Sequence, residues 1–259
     1  MKLLHLLCVV VAIVMAFLLG LLVGQQLVVA HPAPPAAATE SAPLLSSPTV
    51  TTAATLPSSP TDNVRLSVEP LCQHPAYPTG CEVVAATMAL RYVGVAAEVE
   101  ELLPHLPTSR NWYWYNGVFY GPDPAVHFCG DPRSKQSYGC FAPVVRAMLT
   151  AFLGDDCRVV DADGQTLPRL CRRYIDSDLP VLVWGTLGMA PVTAGRSWIL
   201  PDGRRFVWPA GEHCLLLVGY DEERYYFNDP DTGRQVAYPK EQAEQRYEEL
   251  GRQAVVILP

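Results

Sequence analysis

Hydrophobic and polar positions divide the chain into three stretches. Residues 3–23 are apolar apart from His5. As a helix rising ~1.5 Å per residue, that run reaches about 31 Å, enough to cross a bilayer. Residues 25–60 are rich in Pro, Ala, Ser and Thr, with no aromatic residue and one charge, Glu40. Such a segment cannot bury enough surface to offset its ordering entropy and reads as an extended, disordered stalk. From about Thr61 the composition becomes globular. The expected organisation is residues 1–24 as a transmembrane or signal segment, 25–61 as stalk and 62–259 as the folded domain.

Within that domain, residues 82–93 predict a helix ended by Gly94, 143–153 a second and 167–175 a third. Residues 180–184 read as a short buried strand and 213–220 as another, with 224–228 as its hairpin partner. Residues 254–258 form a last apolar strand. Helices come early and strands late, which predicts an α+β fold.

Two readings of the apolar run remain open. An uncleaved anchor fits its length, and Lys2, the sole flanking positive charge, favours the N-terminus inside. A cleaved signal peptide is the rival, because Val28-Val29-Ala30 offers small residues where a signal peptidase would cut. Both send the rest of the chain outside, either as an extracellular domain on the cell membrane or as a secreted protein.

The net charge of −7, not clustered into runs, argues against nucleic acid or an anionic membrane surface as the main partner. None of the eight cysteines forms a C-x-x-C pair, so zinc-ribbon and thioredoxin readings lose their signature. Beyond Cys8 seven remain, an odd number that suits three disulfides and one free thiol. Cys129 and Cys140, around Gly130-Asp131-Pro132 and Gly139, are the pair expected to bridge.

The sharpest local feature is Gln73-His74-Pro75-Ala76-Tyr77-Pro78-Thr79-Gly80-Cys81-Glu82. Thr79 and Glu82 fit a capping box, which makes Thr79 the N-cap and puts Cys81 in the first turn. Free backbone N–H groups and the helix dipole there favour a thiolate, which is nucleophilic and close to donors for an oxyanion. Gln73 could supply a second donor. Taken alone, Cys81 is equally compatible with a small buried residue packing a helix start, and Gln73 with a solvated loop amide.

His213 opens the strand His213-Cys214-Leu215-Leu216-Leu217-Val218-Gly219-Tyr220. If the chain turns at Asp221-Glu222-Glu223 and returns to Asn228-Asp229-Pro230, Asp229 lies within a residue or two of facing His213. A carboxylate there would hold one imidazole nitrogen and leave the other for the thiol. Separately, His213 reads as a core histidine and Asn228-Asp229-Pro230 as turn chemistry. Together with Cys81 they make one ordered Cys-His-Asp constellation. His74, His105 and His127 rank below His213 as bases. No spacing fits a standard metal motif, and no metal or cofactor is expected.

These residues resemble the C39-like papain-fold cysteine peptidases, the stand-alone bacterial family in particular. The resemblance rests on Leu71-Cys72-Gln73, Pro78-Thr79-Gly80-Cys81-Glu82, Gly130-Asp131-Pro132 and Tyr138-Gly139-Cys140-Phe141-Ala142-Pro143. It extends through Glu212-His213, Gly219-Tyr220-Asp221, Asn228-Asp229-Pro230 and Gly251-Arg252-Gln253-Ala254, about residues 66–258 in all. It implies a helical part carrying Cys81 packed on an antiparallel sheet carrying His213 and Asp229. It also implies Cys81 as nucleophile, His213 as base, Asp229 as orienter and Gln73 as oxyanion donor, in a Gram-positive surface protein. A monomer acting on a peptide or protein substrate is expected. The alternatives are a cell-wall peptide amidase or transpeptidase with the same triad, and a silent binding module on this scaffold.

Residues 111–120 place six aromatics in ten positions. They read either as a groove or lid or as loop packing on the core. Trp198 or Trp208 could roof the imidazole or belong to the core.

Overall fold

Residues 83–90 carry Val83, Val84, Ala85, Ala86, Met88, Ala89 and Leu90 and have almost no polar face to turn to water. Such a helix needs an interior position. The computed structural model of the protein, which describes residues 63–155 and 157–259, gives it one. The chain runs from β1 (Val64–Arg65) into α1 (Cys81–Tyr92), where every residue from Cys81 to Leu90 is buried. A single turn, α2 (Val99–Leu102), follows, then short strands β2 (Thr108–Ser109), β3 (Tyr113–Tyr115), β4 (Val118–Tyr120) and β5 (Phe128–Cys129). Helix α3 (Ala142–Leu153), β6 (Arg158–Asp161), α4 (Leu167–Arg173) and β7 (Val181–Thr186) come next. The C-terminal part is β8 (Thr193–Ile199), β9 (Arg205–Ala210), β10 (Glu212–Tyr220), β11 (Arg224–Asp229), β12 (Arg234–Pro239), α5 (Lys240–Glu249) and β13 (Ala254–Leu258).

The result is a mixed α/β structure with antiparallel sheets. The main sheet runs β12-β11-β10-β7-β13-β6, with β1 beside the far end of β10. All its pairings are antiparallel. Its central strands, β7 and most of β10, are buried along their length, which explains their unbroken apolar runs. Helix α1 packs across β10 and β7 and sets the nucleophile candidate against the strand that carries His213. A smaller four-stranded sheet, β3-β4-β8-β9, feeds directly into β10 through Gly211.

The expected helices correspond to α1, α3 and α4, the last tightening into a 3-10 turn at Ile175–Ser177. The expected strands correspond to β7, β10, β11 and β13. Strands β8, β9 and β12 and helix α5 were not legible in the sequence. In α5 only Ala243, Arg246 and Tyr247 are buried, so its apolar signal is two residues. The Cys129–Cys140 disulfide is corrected: both thiols are free, as are the other five described cysteines. The segment between them is closed by backbone bonds instead, Cys129 N–H to Gly139 O at 2.8 Å and Tyr138 N–H to Cys129 O at 3.0 Å. Among the described residues no helix is long and apolar enough to cross a membrane. The apolar run at 3–23 and the stalk lie outside the described residues.

Candidate active site

The chain enters α1 through a tight turn, in which Gly80 N–H bonds to Tyr77 O at 2.9 Å. A Cβ on Gly80 would stand 2.8 Å from Tyr77 Cβ, so this step requires glycine. The capping box is corrected. Gly80, not Thr79, is the N-cap, with no side-chain cap. The Thr79 hydroxyl has the carbonyls of Asp131, Pro132 and Ser134 within hydrogen-bond reach, at 3.1 to 3.4 Å, and donates its one proton among them, Ser134 O being nearest. It fastens the turn to the 131–134 loop rather than to its own helix. Cys81 is nonetheless the first helical residue, in the turn whose N–H groups have no intrahelical partner.

His213 and Asp229 meet in the interior, with Nε2 to Oδ1 at 2.7 Å. The two residues are 2% and 3% exposed, so little water competes for the bond. Asp229 Oδ1 also accepts from Asp231 N–H at 2.9 Å, and Oδ2 from the Thr232 hydroxyl at 3.1 Å. Burial pushes the Asp229 carboxyl up, but the bonds from His213, Asp231 and Thr232 outweigh it and hold it below its usual value. Bonding through Nε2 leaves Nδ1 as the free-side nitrogen of the ring. The neighbouring residue, Cys214, donates its N–H to Cys81 Sγ at 3.5 Å. This contact ties the histidine strand to the start of α1.

Gln73 is buried, and its Nε2 donates to Pro78 O at 3.1 Å, leaving one amide hydrogen uncommitted. Its Oε1 is buried without a partner. The Gln73 N–H bonds to Pro230 O at 2.8 Å. The exposed pair His74 Nε2 and Asp231 Oδ1, at 2.8 Å, joins the same two loops. The Gln73 loop is thereby clamped to the Asp229 loop. All four residues singled out from sequence are thus buried around one junction of α1, β10 and β11.

Two residues at this junction escaped the sequence reading as site residues, Glu82 and Glu212. Each directly adjoins one of the four, in Cys81-Glu82 and Glu212-His213. A glutamate inside an otherwise apolar helix or strand is the signal that marks them. Glu82 is fully buried and turns inward: Oε1 accepts from Cys140 N–H at 2.6 Å, and Oε2 accepts from Cys81 Sγ at 3.3 Å. These surroundings oppose the thiolate that the helix start was expected to favour. Burial pushes the Cys81 thiol well up, and the neighbouring Glu82 adds to the rise, while the Cys214 N–H opposes it only in part. Burial also raises Cys140 and Cys214. Of these three thiols only Cys81, at 5% against 0% for the others, touches the surface.

The aromatic run divides between its two readings. Trp112 and Phe119 pack on a second core cluster of Cys129, Trp198, Leu200 and Trp208. Tyr113, Trp114 and Tyr115 stand 47 to 65% exposed on the β3–β4 hairpin. Trp198 and Trp208 are core: their ring contacts run to Trp112, Tyr138, Phe141, Phe206 and each other.

Comparison with known proteins places this arrangement. Residues 65–255 match the model of the Peptidase_C39 like family. The chain is 27% identical over 178 residues to the uncharacterised YvpB protein of Bacillus subtilis (strain 168), covering 69% of this chain and 68% of that one. A crystal structure of a Bacillus anthracis protein assigned to the C39-like peptidases superposes with a TM-score of 0.67 at 25% identity. It covers 76% of this chain and 98% of its own.

Proposed function

Because the chain belongs to the Peptidase_C39 like family, we propose that it is an extracytoplasmic cysteine peptidase of papain-like architecture, cutting peptide or amide bonds through Cys81, His213 and Asp229. The observation that carries this reading is the buried 2.7 Å His213–Asp229 bond on the strand whose next residue reaches Cys81 Sγ.

In this mechanism His213 Nδ1 takes the proton from Cys81 Sγ, and the sulfur attacks the substrate carbonyl. Asp229 fixes the ring orientation and favours the imidazolium that forms. The Cys81 N–H and the uncommitted Gln73 amide hydrogen hold the oxyanion. His213 then protonates the leaving amine, and water, activated by the same ring, releases the acyl group. The enzyme acts as a monomer on a peptide or protein, held to the membrane by its N-terminal segment or secreted. The test is labelling with a thiol-directed activity probe in wild type and Cys81→Ala. Labelling of wild type alone supports the reading, and equal labelling of both ends it.

A further inference from the structure

The proposed mechanism leaves two buried carboxyl groups beside the nucleophile without a task. Both approach one point. A Cβ built on Gly139 would stand 2.6 Å from Glu82 Oε1 and 3.2 Å from Glu212 Oε2. Glycine at 139 is what lets the two groups crowd together. They differ in their surroundings. Glu82 receives Cys140 N–H and the Cys81 thiol, two donors that suit a carboxylate. Glu212 is 8% exposed, and its Oε1 is a buried oxygen with no hydrogen-bond partner. An ionised carboxylate with an unpartnered oxygen in such a place is costly, and a protonated one costs far less. Like charges in one buried site disfavour each other's ionisation.

We propose that Glu82 and Glu212 share one proton, held on Glu212, and that the Glu82 carboxylate keeps Cys81 as a neutral thiol until His213 withdraws its proton in the substrate complex. Glu82 touches the reacting sulfur and so joins the catalytic groups, while Glu212 is a positioning residue that acts through Glu82. The titratable groups facing the pair are the thiols of Cys81, Cys129, Cys140 and Cys214 and the imidazole of His213. Burial raises both carboxyls, but the Cys140 N–H and the Cys81 thiol offset the rise at Glu82, whereas nothing offsets it at Glu212, which Glu82 raises further. In the catalytic step the proton leaves Sγ for Nδ1 of His213, and no charge crosses to either glutamate. The resting enzyme thus holds Cys81 as a thiol, which protects the sulfur from adventitious alkylation and oxidation.

This inference rests on Cys81 being the nucleophile, yet its test does not need turnover. Iodoacetamide alkylation, read by mass spectrometry at the Cys81 peptide as a function of pH, is compared in wild type, Glu82→Gln and Glu212→Gln. Glu82→Gln keeps an acceptor for Cys140 N–H and removes the charge, so alkylation at neutral pH should rise about tenfold or more and its midpoint should fall. Glu212→Gln replaces a neutral group by a neutral group and should leave the midpoint near that of wild type. An infrared band of a buried protonated carboxyl should be present in wild type at neutral pH and absent from Glu212→Gln. An unmoved midpoint in folded Glu82→Gln, or no such band in wild type, overturns the proposal. The infrared arm decides alone if Glu82→Gln does not fold. Loss of peptidase activity in every preparation, with the alkylation pattern intact, would instead count against the function proposed above.

Discussion

His213 and Asp229 meet at 2.7 Å although the β10–β11 ladder does not pair them. Near the turn the register is Tyr220 with Tyr225 and Gly219 with Tyr226. Beyond an irregularity at Val218 it becomes Leu217 with Phe227 and Leu216 with Asn228. Continued, this register sets Asp229 beside Leu215, on the same face as His213, and the carboxylate reaches the ring diagonally. Without the extra residue at Val218, Asn228 would share that face and Asp229 would turn away. Instead, Asn228 Nδ2 donates to Val68 O at 2.9 Å, on the other side of the strand.

The two neighbours should therefore fail differently. Asp229→Ala should lower kcat by about 10²- to 10⁴-fold with the fold retained. Asn228→Ala strands a buried carbonyl and should cost ~1–3 kcal/mol of stability with a smaller effect on kcat. Denaturant unfolding and kinetics on both variants decide the matter, and a larger kcat loss in folded Asn228→Ala would show that the amide is the orienter.

Cys81→Ala should abolish labelling and hydrolysis while leaving thermal unfolding close to wild type, because the volume change is small. Cys140→Ala and Cys214→Ala should still label, since their sulfurs are wholly enclosed. Peptide mapping of the labelled protein checks this, and a probe found on Cys140 or Cys214 would refute it.

Gln73→Ala should lower kcat ~10²-fold or more with little change in KM, as expected for a donor that acts in the transition state. A rise in KM at constant kcat would make Gln73 a ground-state binding residue.

Stability should decline at both ends of the pH range. Asp229 lies below its usual value, so its contribution is complete above ~3.9 and is lost as pH falls through the lower folded value. Glu212 is raised, so its contribution is complete below ~4.3 and is lost as pH rises through the higher folded value. Glu212→Gln should therefore flatten the decline of Tm that sets in as pH rises above ~4.3 and leave the acid decline in place. A decline on that side identical to that of wild type would contradict this.

For the proposed location, protease added to intact cells should release a soluble fragment by cutting within residues 31–61. Protection of that segment would place the domain on the other side of the membrane.

The sequence by itself determined the elements whose signals are local. The apolar runs of β7, β10 and β13 and the all-round apolar α1 follow from side-chain period and burial. The order of Cys81, His213 and Asp229 along the chain was likewise open to reading. Tertiary structure decided what depends on contacts between distant segments. Thr79 left its expected cap for the carbonyls of the 131–134 loop, and Glu82 left its own for Cys140 and the thiol. One additional residue at Val218, a shift no period records, chose the carboxylate over the amide as the partner of His213. The surroundings of Cys81 were set in the same way. A helix N-terminus favours a thiolate, but burial of Cys81 against β10, which only the folded chain supplies, pushes the thiol up.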